Sequence, residues 1–292
     1  FDAVYGAGGN DVFLLIGLVF LAIGLLFKVG AVPFHNWTPD VYQGAPTPIT
    51  GFMAACTKVA AFGALIRIFY VAFEGDAWQW QIILGVIAVI TMIFGAVAAI
   101  GQRDIKRILA FSSIAHAGFL LIAVVALNQG ALAAALFYFA IYGFATIGAF
   151  GVVTLVRDSA GEVTDVNRWV GLGKKSPIVA TVFSLFLLSF AGIPLTAGFV
   201  GKFGLFTSAY VTGHVYLVIA GVLSSAIAVF FYARIILMLF LSDPNGDTAV
   251  SVVIPSMMTR IAIGVCAVIT LFLGVWPSLL FNSAITFAQF LR

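Results

Sequence analysis

Three lysines, Lys28, Lys58 and Lys202, stand inside long runs of apolar residues. An amine is a group that can take up and release a proton. In hydrocarbon its charge costs about 2.5–3.5 kcal/mol at a helix centre, so three such lysines cost roughly 8–10 kcal/mol before any compensation. Lys58 falls ten residues into the run from Pro48 to Phe73. At helical rise that is a depth of about 15 Å, only part of which a snorkelling side chain can span. The rival reading is a structural lysine that snorkels or pairs.

Two of the three amines accompany residues that interrupt a helix. Lys28 precedes Gly30 and Pro33 in "FKVGAVPFHNW", and His35 follows. Lys202 follows Gly192, Pro194, Thr196 and Gly198 in "FAGIPLTAGFVGKF". Proline has no N–H and clashes with the carbonyl four residues back. Interrupted helices at membrane depth are tolerated where they are enclosed by protein or line a hydrated cavity. If the chain resumes as helix through His35 to about Val41, Lys28 falls near the middle of the whole crossing, and His35, about two turns on, could share its face. A plain proline kink is the simpler alternative at each site. "VPFH" (Val32–His35) and "IPLT" (Ile193–Thr196) lie 161 positions apart. They fall in the first and sixth spans, five crossings apart, so their helices run in opposite directions, as inverted-repeat transporters require.

His116 lies about nine residues inside an apolar run, with Ser112 and Ser113 one turn away. A neutral imidazole can pass protons near physiological pH; a hydrogen-bonded core histidine is the alternative. Arg234 is expected to snorkel at a span end, and His214 to be a solvated loop residue. No Asp or Glu is expected at mid-membrane, so the counter-charge for the lysines is expected upstream of Phe1 or on a neighbouring subunit.

Elements of one kind can hold such groups. Of 292 residues, 63% are hydrophobic and 9% charged, and the mean hydropathy is +1.17. A soluble domain carries about 25% charged residues, so the reading is an all-α polytopic membrane protein forming a single membrane domain over residues 1–292. Eight spans of roughly 20 apolar residues or more are predicted: Val12–Pro33, Pro48–Phe73, Trp80–Ile100, Ile108–Leu127, Ala131–Val156, an overlong Ile178–Tyr210, Val215–Leu241 and Ile261–Phe281. The first and sixth are predicted to be discontinuous. Basic residues gather in alternate loops: Arg103, Lys106 and Arg107; Arg157, Arg168, Lys174 and Lys175 in the loop 157–176; and Arg260. The positive-inside rule makes those loops cytoplasmic and the C-terminus external. Phe1 follows neither a Met nor a charged leader, so the sequence reads as a fragment lacking its N-terminal part, whereas "FAQFLR" could be a true C-terminus.

Other chemistries find little support. Cys56 and Cys266 lie in separate apolar runs without metal spacing and are expected to be small buried thiols. No metal or cofactor site is predicted. "GLGKKS" lacks the leading glycine of a phosphate loop, because Arg168 occupies that place. With no basic stripe, a nucleic-acid partner is not expected.

The segments "FKVGAVPFHNWTPDVYQGAPTPITGFMAACTKVA" (Phe27–Ala60), "IKRILAFSSIAHAGFLLIA" (Ile105–Ala123) and "GIPLTAGFVGKF" (Gly192–Phe203) resemble the subunit N family of bacterial NADH–quinone oxidoreductase, respiratory complex I. "WTPDVYQGAP" favours subunit N over its paralogues, subunits L and M and the large subunits of multisubunit cation/proton antiporters. The resemblance implies a fold of fourteen transmembrane helices with two inverted five-helix repeats and discontinuous seventh and twelfth helices. The present spans then correspond to helices seven to fourteen. By the same resemblance Lys28 matches the central lysine of helix seven, Lys58 that of helix eight and Lys202 the terminal lysine of helix twelve. A glutamate on helix five would lie upstream. "FYFAIYGFATIGAF" (Phe137–Phe150) has no ionisable His or Lys, unlike the His-rich eleventh helix of some paralogues. The link between the two half-paths is then left to serines, tyrosines or water.

The expected function is proton translocation by a non-redox membrane-arm subunit in the bacterial plasma membrane. Lys28, Lys58 and Lys202 would form the relay, with His35 and His116 on the cytoplasmic side. The expected partners are other membrane-arm subunits, lipid, protons and water. The alternative is a subunit of a multisubunit cation/proton antiporter.

Overall fold

A hydrocarbon environment leaves backbone N–H and C=O groups no partner but each other, so apolar runs of this length must coil into helices. The computed structural model describes residues 12–242, 250–253 and 256–289, and among them this holds throughout. The molecule is a mostly helical polytopic membrane protein, with seven described helices long and apolar enough to cross a bilayer.

Helix α1 (Val12–Val29) leads to a non-helical turn and a short α2 (Trp37–Gly44). The second run, Thr47–Ala72, is one continuous coil of changing pitch: α3 (Thr47–Phe52), a π turn (Met53–Thr57), α4 (Lys58–Arg67) and a second π turn (Ile68–Ala72). Helices α5 (Ala77–Ile100), α6 (Ile105–Ala126) and α7 (Gln129–Val153) follow. The connection beyond α7 holds β1 (Val156–Asp158), β2 (Gly161–Glu162), a 3-10 turn (Val166–Trp169) and the one-turn α8 (Leu172–Lys175). The overlong run divides into two helices of 15 residues each, α9 (Pro177–Ala191) and α10 (Ala197–Val211). Then come α11 (Val215–Phe240), β3 (Ser251–Val252), α12 (Met257–Val275) and α13 (Ser278–Gln289).

Helix α6 is the centre of the core. Every residue in it except Arg107 is buried, and it packs against α2, α5, α7 and α10. Two glycines allow its close approach to α5. A Cβ on Gly95 would lie 2.5 Å from the amide nitrogen of Ala115, and one on Gly118 would lie 2.7 Å from that of Met92. Backbones this near require small residues at the contact.

Both predicted helix breaks are present and are built alike. Gly30 (φ +74°) and Gly192 (φ +81°) adopt the left-handed conformation that ends a helix. The next amide reaches back over the last turn, Ala31 N to Leu26 O at 2.9 Å and Ile193 N to Leu188 O at 3.1 Å. Pro33 and Pro194 follow. At the first break Trp37 Nε1 donates to Phe27 O at 2.8 Å and Val32 N donates to Thr91 Oγ1 at 3.1 Å, so the opened backbone finds partners.

Several expectations need correction. Helix resumes at Trp37, not His35, because residues 32–36 form consecutive turns around Pro33. The eighth run ends at Val275; Trp276 and Pro277 break it, and α13 packs separately against α7. The fold is not purely α. A small antiparallel sheet of order β2-β1-β3 joins the loop after α7 to the segment before α12, with Arg157 paired to Glu162 and to Ser251. Cys266 is buried, but Cys56 is exposed, because Ala54, Ala55 and Lys58 take the inward face of that coil. His214 is half-buried, with Thr212 Oγ1 3.0 Å from its Nδ1, and burial pushes its pKa down.

Candidate functional site

Lys58 is the first residue of α4, directly after the π turn, and is buried at 3% exposure. Its Nζ donates to the backbone oxygen of Ser113 on α6. The Ser113 hydroxyl accepts from Tyr142 OH on α7 at 2.8 Å. One turn along α6, His116 Nδ1 lies 2.5 Å from Tyr138 OH. Its ring is also 5.0 Å from that of Tyr142. Tyr138 and Tyr142 are four residues apart on α7, so they share a face; their rings stack at 6.3 Å and 6°.

On the far side of these tyrosines stands Lys202, in α10, at 4% exposure. Its Nζ donates to Phe190 O at 2.9 Å, Ala191 O at 3.2 Å and Ser225 Oγ at 3.3 Å, and lies 4.5 Å from the centre of the Phe119 ring. The broken helix supplies these acceptors. The partner of Phe190 O in an unbroken helix would be the N–H of residue 194, and a proline has none. The amine fills the place of that missing donor, at a helix C-terminus where positive charge is favoured. Gly192 leaves room for it, since a Cβ there would lie 3.0 Å from Lys202 Cδ.

A cavity of about 10 Å3 lies between the tyrosine pair and the break, bounded by His116, Tyr138, Tyr142, Ser189, Phe190 and Gly198. That is near the smallest volume that holds one water molecule. A branch leaves the same region, where the Ser112 hydroxyl meets Tyr232 OH of α11. The site thus gathers buried hydroxyl and imidazole groups between two buried amines, Lys58 held by the Ser113 carbonyl and Lys202 by the carbonyls of Phe190 and Ala191.

Lys28 and His35 sit apart from this cluster. Lys28 is in the last turn of α1 and is exposed. His35 is buried within the first break, its ring 4.5 Å from that of Phe94 and its Nδ1 without a hydrogen-bond partner among the described residues. Gly30 and Pro33 lie in the first break, as Gly192 and Pro194 do in the second. Gly198 opens α10, where a Cβ would come within 1.8 Å of Ser189 O. Sequence reasoning singled out the amines, both breaks and His116. It missed Tyr138, Tyr142, Tyr232 and Ser225 as individuals, because hydroxyls on aromatic-rich helices read as core filler. Their only signal is the four-residue spacing of the two α7 tyrosines.

Among the described residues none of the three lysines has a carboxylate partner. Three ion pairs lie in the connections that carry the basic residues: Arg107–Asp40 at 2.6 Å, Arg168–Asp158 at 2.7 Å and Arg157–Glu162 at 3.5 Å. The hydrogen bond from Arg168 holds the Asp158 carboxyl below its usual pKa. Thr47 Oγ1 donates to Glu162 at 2.5 Å and Lys106 Nζ to Ala45 O at 2.7 Å, which ties the β-hairpin loop and the foot of α6 to the start of the coil carrying Lys58.

Residues 3–228 match the family described as NADH:quinone oxidoreductase/Mrp antiporter, TM. NADH-quinone oxidoreductase subunit N of Rhodococcus opacus is 55% identical over 291 residues, covering 100% of this chain and 54% of the relative. A subunit N of Streptomyces griseus is 56% identical, covering 97% and 51%. The chain therefore spans about half the length of the curated relatives it matches. A chain of respiratory complex I from Thermus thermophilus superposes with a TM-score of 0.81 at 33% identity, covering 95% of this chain and 60% of that one. A chain of the Mrp complex from Dietzia sp. superposes with a TM-score of 0.87 at 23% identity, covering 99% of this chain and 61% of that one, and shows the common fold alone. The chain belongs to the NADH:quinone oxidoreductase/Mrp antiporter transmembrane family, and within it resembles subunit N.

Proposed function

We propose that this chain carries protons as a membrane-arm subunit of an NADH–quinone oxidoreductase, without redox chemistry of its own. The observation that carries the reading is the set of buried titratable and hydroxyl groups gathered between two buried amines: Lys58 against Ser113, the Ser113–Tyr142 and His116–Tyr138 contacts, and Lys202 at the second break, with a small cavity bounded by His116, Tyr138 and Phe190. Two buried amines with no carboxylate among the described residues are costly to hold charged, and burial favours the neutral amine of any lysine while a nearby carboxylate favours its ammonium. Moving a counter-charge toward or away from such a site therefore loads and unloads it. One charge against 100 mV is worth about 2.3 kcal/mol, within reach of such switching. The π turn beside Lys58 supports the reading, since π turns inside α-helices occur frequently at functional sites.

In this reading the chain crosses the bilayer eight times, α1–α2 and α9–α10 being the discontinuous crossings of an inverted repeat. The ends carrying the ion pairs face the cytoplasm and the C-terminus faces outward. Exposed Lys28 would meet a carboxylate on a segment outside the described residues, and His35 would serve the cytoplasmic side. Neighbouring membrane-arm subunits would supply the coupling to quinone reduction.

The test is Lys58→Met in the full-length chain within its complex, reconstituted in vesicles. The expected result is an assembled complex that no longer acidifies the vesicle lumen on NADH addition. Normal acidification would reduce Lys58 to a structural lysine. Sodium uptake that depends on the same lysine would favour the antiporter alternative.

A further inference from the structure

Away from the buried lysines, a groove of about 540 Å3 opens at the end of the bundle that carries the basic loops. This lies within the size range of small-molecule sites, about 300–1,000 Å3. Its floor is apolar, formed by Val152 of α7, Val182 of α9 and Ile263 of α12, and Gly264 leaves it open. Its mouth is polar, with Ser176 and Arg260. Arg260 is exposed, and no carboxylate pairs with it among the described residues. Lys175, also exposed, immediately precedes Ser176. Large apolar side chains stand on the same helix ends, Ile178 at 78% exposure and Met258 at 76%.

The groove thus places cationic groups at its rim, one helical turn above an apolar floor: Arg260 to Gly264 is four residues, about 6 Å of rise. That order of polarity, positive then apolar going inward from a helix end, complements an anionic phospholipid. Its phosphate would lie against Arg260 and Ser176, and the first part of an acyl chain would lie along Val182 and Ile263. Basic residues at a membrane face attract anionic lipids in the same way, and a guanidinium matches phosphate geometry.

We propose that this groove is a binding site for an anionic phospholipid, selected by Arg260 with support from Lys175. The inference does not depend on the proton-transfer reading.

The test uses the full-length chain in its assembled complex, in phosphatidylcholine nanodiscs with trace lipid carrying a diazirine on the acyl chain. One probe is phosphatidylglycerol and the other phosphatidylcholine; labelled peptides are located by mass spectrometry. The phosphatidylglycerol probe is expected to label the segments 177–182 and 260–264 about fivefold more than the phosphatidylcholine probe. Arg260→Gln should bring it down to the phosphatidylcholine level, and Arg260→Lys should retain most of the excess. Lys175→Gln, on an exposed loop, should lower it in the same direction and guards against misassembly of the Arg260 variant. Gly264→Leu, where added atoms meet open space, should block both probes. Equal labelling by both headgroups, phosphatidylglycerol labelling unchanged in both charge variants, or no label in these segments would overturn the proposal.

Discussion

The amine of Lys202 lies 2.9 Å from the carbonyl oxygen of Phe190, the oxygen that Pro194 leaves without a backbone donor. A break encoded by one proline thus becomes the binding site for an amine eight residues further on. Pro194→Ala would restore a donor four residues after Phe190 and set an N–H in competition with the amine. Proton translocation per quinone reduced should fall between wild type and Lys202→Met, measured by vesicle acidification with assembly checked in parallel. A wild-type ratio in Pro194→Ala would show that the freed carbonyl is not needed.

Tyr138→Phe removes the hydroxyl 2.5 Å from His116 Nδ1 and leaves a buried polar nitrogen unpaired, at a cost of about 1–3 kcal/mol. Translocation should slow several-fold with little change in the amount of assembled complex. Tyr142→Phe cuts the other contact, to Ser113, and should act in the same direction. The double variant should be hardly worse than either single one if both hydroxyls serve one path, a comparison that a double-mutant cycle makes directly.

Gly198→Ala should damage the fold instead of the chemistry. Its Cβ would lie 1.8 Å from the backbone oxygen of Ser189 and 3.0 Å from its hydroxyl, and backbone cannot yield as a side-chain tip can. Overpacking of a tight core costs typically 1–3 kcal/mol. The expected outcome is a lower melting temperature and less assembled complex. Gly264→Ala, with open space around it, is the matched control and should leave both unchanged.

The β-hairpin loop carries the pH dependence. Asp158 accepts from Arg168 at 2.7 Å and from the amides of Ala160 at 2.7 Å and Gly161 at 3.0 Å. These bonds favour the carboxylate, so the folded pKa lies below the ordinary 3.8. Stability from a depressed carboxylate is present above the unfolded value and is lost only as pH falls through the folded one. Hydrogen exchange at β1 and β2, corrected for intrinsic rates, should therefore be flat between about pH 7 and about pH 5. Arg168→Gln should shift the onset of loosening to higher pH. Loosening of the wild-type hairpin already at about pH 6 would count against this account.

The sequence by itself determined the class of the molecule, the places where its helices break and the amines stranded at depth. Each of these is a local matter. Apolar runs in lipid must satisfy their own backbone, proline removes a donor wherever it stands, and a charge in a long apolar run is visible without any fold. Only the tertiary structure decided which groups meet. Lys58 reaches Ser113 across 55 residues, Ser112 reaches Tyr232 across 120, and His116 finds Tyr138 across 22. Helices that are apolar on every side carry no periodic signal of the face each will bury, so these pairings depend on how the helices pack. The π turn before Lys58 and the three-stranded sheet escaped for a related reason. A one-residue change of pitch has no side-chain signature, and two-residue strands exist only because a distant segment arrives to pair with them.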